Sequence, residues 1–220
     1  MLPPCVYRNM VANLQTMSQE NLRLSRAPEL AYAPTMDNAP EDSALMLRYR
    51  NGDVAAFETL YKRHNDALYR YLLRLCHHRD SAEDIFQEVW GKIIKARESY
   101  RPTAKFTTFL YRVAHNCFID HIRRNKRHMQ TVDIEPDTQP DAGEQPEVQT
   151  ERDLARRRLV AALRDLPDEQ RDVFLLHEEA SLSLDQIASI TGSNRETTKS
   201  RLRYAVKKLR IAIDEPVGTS

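Results

Sequence analysis

The chain has 220 residues, with 41% hydrophobic and 30% charged side chains and a formal net charge of +1. This length and composition allow one domain or two small ones with packed cores. No apolar stretch approaches the roughly 20 residues that a membrane-spanning helix needs, so no membrane insertion is expected. Three irregularly spaced cysteines, Cys5, Cys76 and Cys117, argue against a disulfide framework and indicate a reducing compartment.

Charge is segregated along the chain, so the small net charge says little about partners. Residues 101–130 hold seven Lys or Arg and one acid, and residues 195–210 show the same imbalance. Between them, residues 131–153 hold eight acids and one base. Helix-forming residues dominate, glycine is scarce and no convincing run has period two, so the sequence predicts an all-α fold.

Residues 1–41 are expected to form a disordered leader, because they contain several prolines and no apolar periodicity. The absence of acidic residues before Glu20 faintly resembles an organelle transit peptide. A sustained Arg-rich amphipathic pattern, however, is missing. A start codon placed too far upstream is a further alternative, since Met36 and Met46 lie close to the first predicted helix. Mass spectrometry of the native protein tests this alternative.

A first helical domain is predicted over residues 42–128. A short helix over 43–50 stops at Asn51 and Gly52, and Asp53 caps a long helix with apolar residues at steps of three and four. The next helix is expected to start at Ser81, with Asp84 at capping-type spacing. There, Asp84, Gln87 and Glu88 share one exposed face, which by itself is most simply a solvated polar surface.

Aromatic and basic residues interleave in a helix predicted over residues 106–127. Part of its apolar content has helical spacing and belongs to a core. The remainder suits a surface that stacks unpaired bases and holds phosphates, although an aromatic stripe is more often core. The residues of this candidate surface are Phe106, Phe109, Tyr111, Arg112, Arg123, Arg124, Lys126 and Arg127.

A flexible acidic linker is expected over residues 129–150, followed by a second helical domain over 151–213 and a tail over 214–220. The second domain ends in a predicted helix-turn-helix. Ser183 and Gln186 have capping-box spacing, Gly192 supplies the turn, and Ser193 and Glu196 repeat the box.

The second helix of this motif, over residues 194–210, carries seven bases and one acid. A helix of this kind fits the DNA major groove and neutralises phosphates on either side. The alternative is an amphipathic helix with a solvated basic face, but such faces usually alternate in sign. The segment therefore favours DNA binding.

Taken together, these segments resemble bacterial RNA polymerase sigma factors of the extracytoplasmic-function (ECF) group. The first domain is similar to sigma region two and the second to region four. Four motifs carry the resemblance in the right order: D-x-x-Q-E at 84–88, the pattern that starts at Phe106 and ends at Arg123, L-P-x-x-x-R-x-V-F-x-L at 166–176, and T-T-K-S-R-L at 197–202. At two positions the chain departs from the family pattern. Thr198 stands where the family usually has Val, and Glu196 where it frequently has Gly. Both departures bear on which −35 sequence the chain would prefer. The resemblance does not account for residues 1–41.

The resemblance implies a promoter-specificity subunit without enzymatic activity or cofactor. Asp84, Gln87 and Glu88 would contact core polymerase. The −10 element would be read by Phe106, Phe109, Tyr111, Arg112, Asn116, Asp120, Arg123, Arg124 and Arg127. The −35 element would be read by Arg195, Glu196, Thr197, Lys199, Ser200, Arg201 and Arg203. Implied partners are core RNA polymerase, duplex and melted promoter DNA and an anti-sigma protein, all in the bacterial cytoplasm.

The residues alone allow three other interpretations. A free-standing helix-turn-helix regulator would act without polymerase and would be indifferent to substitution at Asp84 and Gln87. A metal-dependent hydrolase would use the histidines close to Cys76 and Cys117, but no CxxC or HExxH spacing occurs. A two-helix interaction protein without DNA binding is disfavoured by the basic helix.

Overall fold

The computed structural model describes residues 41–131 and 151–214, and within these residues it has eight α-helices and no strand. The N-terminal unit consists of α1 (Asp42–Arg50), α2 (Val54–Cys76), α3 (Arg79–Lys95) and α4 (Phe106–Thr131). The C-terminal unit consists of α5 (Glu151–Arg164), α6 (Asp168–Glu178), α7 (Leu184–Thr191) and α8 (Arg195–Asp214). The predicted all-α fold with a C-terminal helix-turn-helix is confirmed.

The predicted leader up to residue 40, the linker from 132 and the tail from 215 lie outside the described residues. Helix α4 continues to Thr131, three residues beyond the predicted end of the first domain at 128. Side chains are described for residues 41–125 and 157–213, so the side chain of the predicted site residue Arg127 is outside the description.

The N-terminal unit is built on α2, whose start is set by a side-chain cap. Asp53 accepts a hydrogen bond from the backbone N–H of Ala56 at 3.2 Å, as its position before the helix predicts. The buried residues of α2 recur at helical spacing, on a helix that packs against α1 and α3 and also contacts α4, α5 and α6; they are Ala56, Leu60, Leu68, Tyr71, Leu72 and Leu75. This packing holds α3 and α4 side by side on the same unit.

Helix α3 begins at Arg79, so the predicted start at Ser81 is wrong. Its N-cap is His78, which makes no side-chain capping bond. The preceding helix ends at His77, whose φ of 65° is left-handed, and the chain re-enters a helix within two residues. The short connection leaves Ser81 inside the first turn of α3 rather than before it.

A buried arginine holds together the connection between α5 and α6. The Arg171 guanidinium donates to the backbone carbonyls of Leu166 at 3.1 Å and Arg164 at 3.3 Å, and it forms an ion pair with Asp168. These bonds satisfy the carbonyl of Arg164, the last residue of α5, and that of Leu166 in the connection. The L-P-x-x-x-R spacing thus has a structural reason, because the arginine closes the turn that the proline starts.

The helix-turn-helix is α7 and α8, joined through Gly192. The capping box at Ser183 and Gln186 is present in both directions, with bonds of 3.3 and 2.9 Å. Gly192 adopts the expected positive φ, 64°. The second predicted capping box is wrong, because Asn194 caps α8 instead, with its Oδ1 accepting from the backbone N–H of Thr197 at 2.7 Å.

The two units pack directly against each other. Helix α2 contacts α5 and α6, and α4 contacts α7. Buried apolar side chains of both units belong to one continuous core. The helix that carries the predicted −10 residues therefore lies against the first helix of the helix-turn-helix.

Candidate polymerase and nucleic-acid interfaces

The predicted polymerase-contacting residues lie on the outer face of α3. Asp84 and Gln87 are exposed, and Glu88 is half-buried one turn after Asp84. The Glu88 carboxylate is paired, with Lys92 at 2.9 Å on its own helix and with Arg124 of α4 at 3.0 Å. The hydrogen bond from Lys92 lowers the pKa of Glu88 and, against the effect of partial burial, Arg124 lowers it further.

Aromatic side chains of the predicted −10 surface are packed in this conformation. Phe106 and Tyr111 are buried, and Phe109 is half-buried beside Tyr100, with 5.3 Å between ring centroids. Tyr111 meets Tyr71 edge to face at 5.2 Å, and burial raises the pKa of Tyr111. The buried rings of Phe106 and Tyr111 therefore present no open face of the kind on which a base would stack.

The polar residues predicted at −10 form a separate, exposed strip along α4. Asn116, Asp120 and Arg123 are exposed at helical spacing, and Arg124 follows next to them. The Asp120 carboxylate lies 3.9 Å from Arg123 and 4.0 Å from Lys92. Arg112, one turn before Asn116, is exposed but donates a hydrogen bond to Ser189 of α7 at 2.9 Å.

The recognition helix α8 has one buried face and one outer face. Thr198, Leu202, Val206 and Leu209 are buried against α5, α6 and α7, which confirms the predicted apolar face. Glu196, Ser200 and Arg203 recur at steps of four and three on the opposite side. Arg195 is exposed at the helix start, 3.2 Å from Asp185 of α7.

Other predicted −35 residues lie on the flanks of α8. Thr197 and Lys199 are half-buried at the borders of the outer face. Arg201 lies on the side of α8 that faces α6, where it forms an ion pair with Glu169. Arg201 and Arg195 are thus both paired with an acid of a neighbouring helix, Glu169 of α6 and Asp185 of α7.

Thr198, which stands where the family usually has Val, is completely buried. Its hydroxyl bonds Ser193 Oγ at 2.8 Å and donates to the backbone carbonyl of Asn194 at 3.0 Å. Ser193 in turn bonds Thr191 at 2.9 Å. This chain of hydroxyls fixes the turn before α8, so the departure at Thr198 concerns the position of the recognition helix.

Sequence reasoning missed the residues that join the two units. Asp172 of α6 is buried and accepts from the Tyr71 hydroxyl at 2.7 Å, while the His115 Nδ1 lies 2.7 Å from its other oxygen. Gln186 of α7 donates to Thr108 of α4 at 2.9 Å. The available signal was Asp172 itself, a carboxylate next to the apolar run Val173–Leu176, where a charge needs a buried partner.

Within the described side chains, no group of three or more His, Cys, Asp or Glu is arranged to hold a metal ion. The histidines considered for a metal site have other neighbours: His115 bonds Asp172, and His121 bonds Asn125 at 2.9 Å. None of the described helices is both long and apolar enough to cross a membrane.

Two protein families match the two units in order. Residues 60–128 match the family described as Sigma-70 region 2, and residues 156–209 match the family described as Sigma-70, region 4. Together they span more than half of the chain. The first match covers most of α2, all of α3 and α4 up to residue 128, and the second covers the helix-turn-helix.

Curated relatives agree with these matches. The chain is 34% identical over 165 residues to the ECF RNA polymerase sigma factor SigL of Mycobacterium tuberculosis. The aligned residues cover 74% of this chain and 92% of SigL. The chain is also 31% identical over 157 residues to the RNA polymerase sigma factor YlaC of Bacillus subtilis, which covers 70% of this chain and 91% of that protein.

The fold resembles a solved structure, that of the sigma factor RpoE in complex with the anti-sigma factor NepR from Bartonella quintana. That likeness has a TM-score of 0.58 and 24% identity, and it covers 72% of this chain and 98% of that one. At this identity it supports the fold, whereas the curated relatives and the two matched regions decide the family. This chain belongs to the ECF group of RNA polymerase sigma factors.

Proposed function

We propose that this sigma factor docks on core RNA polymerase through Asp84, Gln87 and Glu88 of α3. Asp84 and Gln87 are exposed one turn apart on a helix whose other face is buried in the core. That observation carries the proposal, because two polar side chains on a rigid helix present a defined surface to a partner. Glu88 would contribute to docking partly by positioning Arg124, whose guanidinium pairs with the Glu88 carboxylate.

The exposed strip of α4 is the proposed −10 surface. Arg112, Arg123, Arg124 and Arg127 would hold phosphates of the melted strand, while Asn116 and Asp120 would contact bases or backbone. Phe106, Phe109 and Tyr111 would support this surface from beneath unless the unit rearranges, because their rings are packed. Opening of the strands draws on binding energy, so no enzymatic step and no cofactor is proposed.

Helix α8 is the proposed −35 reader. Glu196, Ser200 and Arg203 lie on its outer face, and Arg195 lies at its N-terminal end, which is the end of a recognition helix that approaches base edges. Thr197 and Lys199 flank this face, and Lys199 would contact phosphate. Arg201 would reach DNA only after leaving Glu169.

An anti-sigma protein is a further proposed partner. The solved structure of RpoE contains one, NepR, and the fold of the present chain is similar to that of RpoE. The proposed location is the bacterial cytoplasm, where core polymerase and chromosomal DNA are found.

In vitro transcription tests this function. Purified protein and bacterial core polymerase would be run on pooled genomic fragments, next to an Asp84→Ala/Gln87→Ala variant. We expect discrete new transcripts that the variant loses, because its docking surface is removed while its core is untouched. A Glu98→Ala/Ser99→Ala variant, altered in the exposed turn after α3, is the matched control and should transcribe normally.

Loss of transcription in both variants would contradict the docking role of Asp84 and Gln87. Absence of transcripts with wild-type protein, together with intact sequence-specific DNA binding, would favour a free-standing regulator instead.

A further inference from the structure

The recognition helix carries an exposed aromatic side chain that the predicted −35 residues do not include. Tyr204 is 52% exposed on α8, one turn after Ser200 and two turns after Thr197. Residues at these spacings share one flank of a helix, so Tyr204 continues the row that the two predicted residues begin. A single exposed aromatic ring is common on protein surfaces. The contact that this ring makes sets it apart.

The Tyr204 ring holds the guanidinium of its neighbour, Arg203. The Cζ atom of Arg203 lies over the ring, 5.3 Å from its centroid, which is within the range of a cation–π contact. Consecutive residues of a helix point about 100° apart and do not face each other. The Arg203 side chain therefore leans across the helix surface towards the flank of Tyr204, away from the flank of Lys199.

The three arginines predicted to contact the −35 element are held in different ways. Arg195 lies 3.2 Å from the Asp185 carboxylate, and Arg201 pairs with Glu169. The ion pairs among the described side chains do not include Arg203, which has the Tyr204 ring as its neighbour. An aromatic ring orients a guanidinium without cancelling its charge, and the N–H donors stay in the plane of the guanidinium. Arg203 is thus oriented and still able to bind a phosphate.

The position of Arg203 along α8 places it at the rim of a DNA major groove. Seven positions separate it from Glu196 in the first turn, which at about 1.5 Å per residue is roughly 10 Å of helix. The major groove is roughly 8.5 Å deep. A helix that enters this groove with its N-terminal end towards the bases therefore carries its third turn at the level of the phosphates.

We propose that Tyr204 is a positioning residue of the −35 surface, and that its ring holds the Arg203 guanidinium towards a phosphate of the DNA strand that borders the Tyr204 flank. The proposal rests on the proposed function, since it assumes that α8 reads the −35 element. It separates two roles along the helix. Residues of the first turn, such as Arg195, meet base edges, whereas Arg203 binds the backbone and fixes the register of the helix in the groove.

Holding Arg203 in place before DNA arrives should strengthen binding. A free arginine side chain samples many rotamers and loses this freedom when it binds a phosphate. The ring contact removes part of the freedom in the unbound protein, so less is lost on binding. The ring face makes this contact, and the hydroxyl is not required. Tyr204→Phe should therefore preserve the effect, and Tyr204→Leu should remove it.

The experiment titrates the full chain with a short duplex that wild-type protein selects from pooled genomic fragments. Fluorescence anisotropy over a range of salt concentrations compares wild-type protein with Arg203→Ala, Tyr204→Leu, Tyr204→Phe and the double variant Arg203→Ala/Tyr204→Leu. Ile211→Ala, which removes another exposed apolar side chain of α8, is the matched control. Because all three positions are exposed, each variant should keep the thermal midpoint of wild type.

We expect Arg203→Ala to weaken binding about tenfold and to reduce the slope of log K against log salt by about one phosphate contact. Tyr204→Leu should weaken binding about two- to fivefold. Tyr204→Phe and Ile211→Ala should bind like wild type, and the double variant should bind no worse than Arg203→Ala. All variants should keep the wild-type ratio of affinities for the selected duplex and for one with altered bases, since a phosphate contact carries no sequence information.

Wild-type affinity in Tyr204→Leu would overturn the proposal. Equal weakening by Tyr204→Phe and Tyr204→Leu would do the same, because the hydroxyl rather than the ring would then act. A double variant whose loss is the product of the two single losses would show that Tyr204 acts independently of Arg203. A changed base preference in Arg203→Ala would place that side chain at a base, against the proposal. Failure of the proposed function looks different, because wild-type protein would then give no transcripts with core polymerase, whatever its variants do on the selected duplex.

Discussion

At the scale of single residues, the role of a side chain depends on which face of its helix it lies on. Thr198 and Ser200 are two positions apart in a motif that resembles other sigma factors, yet the first is completely buried and the second is half-buried on the opposite side of the helix. Helical periodicity separates them, because two positions correspond to about 200° of rotation. Membership of a motif therefore does not by itself assign a residue to DNA.

Replacing Thr198 by Val should lower stability without changing promoter preference. The substitution keeps the shape but removes the hydroxyl bonds to Ser193 and to the Asn194 carbonyl. We expect a loss of about 1 kcal/mol in the free energy of unfolding, measured by chemical denaturation. Ser200→Ala is the control, with little effect on stability; a changed base preference in Thr198→Val would argue against a purely positioning role.

Arg195 and Arg201 should respond differently to truncation. Arg195 lies exposed at the start of α8, so Arg195→Ala should cost about 1–3 kcal/mol in −35 binding if the side chain reads a base bidentately. Arg201→Ala should cost less in DNA binding and more in stability, because Arg201 is only 25% exposed in its pair with Glu169, whereas Arg195 is 55% exposed in its pair with Asp185. Binding titrations on matched and altered −35 duplexes measure both, and uniform weakening across sequences would reassign Arg195 to phosphate.

At the scale of helices, side-chain caps and ion pairs determine where elements begin and how they meet. Asp53 and Ser183 accept from the first turns of α2 and α7, and Asp42 connects α1 to α2 through Arg63 and His64. The capping box at α7 has a second use, since Gln186 also donates to Thr108 on the other unit. Local and long-range contacts thus share one side chain.

Substitutions in this capping box should separate the two uses. Ser183→Ala removes the cap alone and should lower the free energy of unfolding by about 1 kcal/mol. Gln186→Ala removes its share of the cap and the bond to Thr108, so we expect a larger loss. Thermal denaturation of both variants, with Thr108→Ala as the control, checks the order; equal losses would mean that the bond to Thr108 contributes nothing.

Stability in acid should depend on Asp42. Burial alone would raise the pKa of Asp42, but hydrogen bonds from His64 and Arg63 outweigh it and lower the pKa below the ordinary value of 3.8. A lowered folded pKa means that the stabilisation is complete above pH 3.8 and is lost as the pH falls through the folded value.

Asp42→Asn tests this dependence. Wild-type protein should be more stable than the variant at pH 6, and the difference should shrink as the pH falls below about 4. Urea denaturation at pH 6, 4 and 3 measures it, with Asp66→Asn, an exposed acid on α2, as the control. A difference between Asp42→Asn and wild type that stays constant with pH would show that the Asp42 charge does not stabilise the fold.

At the scale of the whole molecule, the two units pack against each other in the described structure. The buried apolar side chains are continuous across the interface, and polar contacts surround the junction at Asp172. The near-zero net charge likewise hides strong local differences in charge. Basic residues are concentrated in α4 and α8, whereas acidic residues are concentrated in the stretch 131–153 between the two units in sequence. Regional charge, rather than the total, is what DNA would meet.

Unfolding of the wild-type chain should be a single cooperative transition. Because the core is shared, separating the units and melting them should occur together, with equal calorimetric and van't Hoff enthalpies. Asp172→Ala should uncouple the units and give two resolvable transitions. Differential scanning calorimetry measures both, and two transitions already in wild type would show that the interface does not couple the units.

The sequence by itself determined the all-α fold, the buried face of α8, the caps at Asp53 and Ser183, and the family. These features depend on residues within a few positions of one another, where helical spacing and capping act. It misplaced the start of α3, which follows His78 without a side-chain cap, and the cap of α8, which Asn194 provides in place of Ser193.

Tertiary structure alone decided the rest. The packing of Phe106 and Tyr111, the pairing of Arg201 with Glu169 and the meeting of Asp172 with Tyr71 and His115 join residues from different helices. Asp172 and His115 lie 57 positions apart. No local periodicity connects such positions, because their contact depends on how whole helices pack.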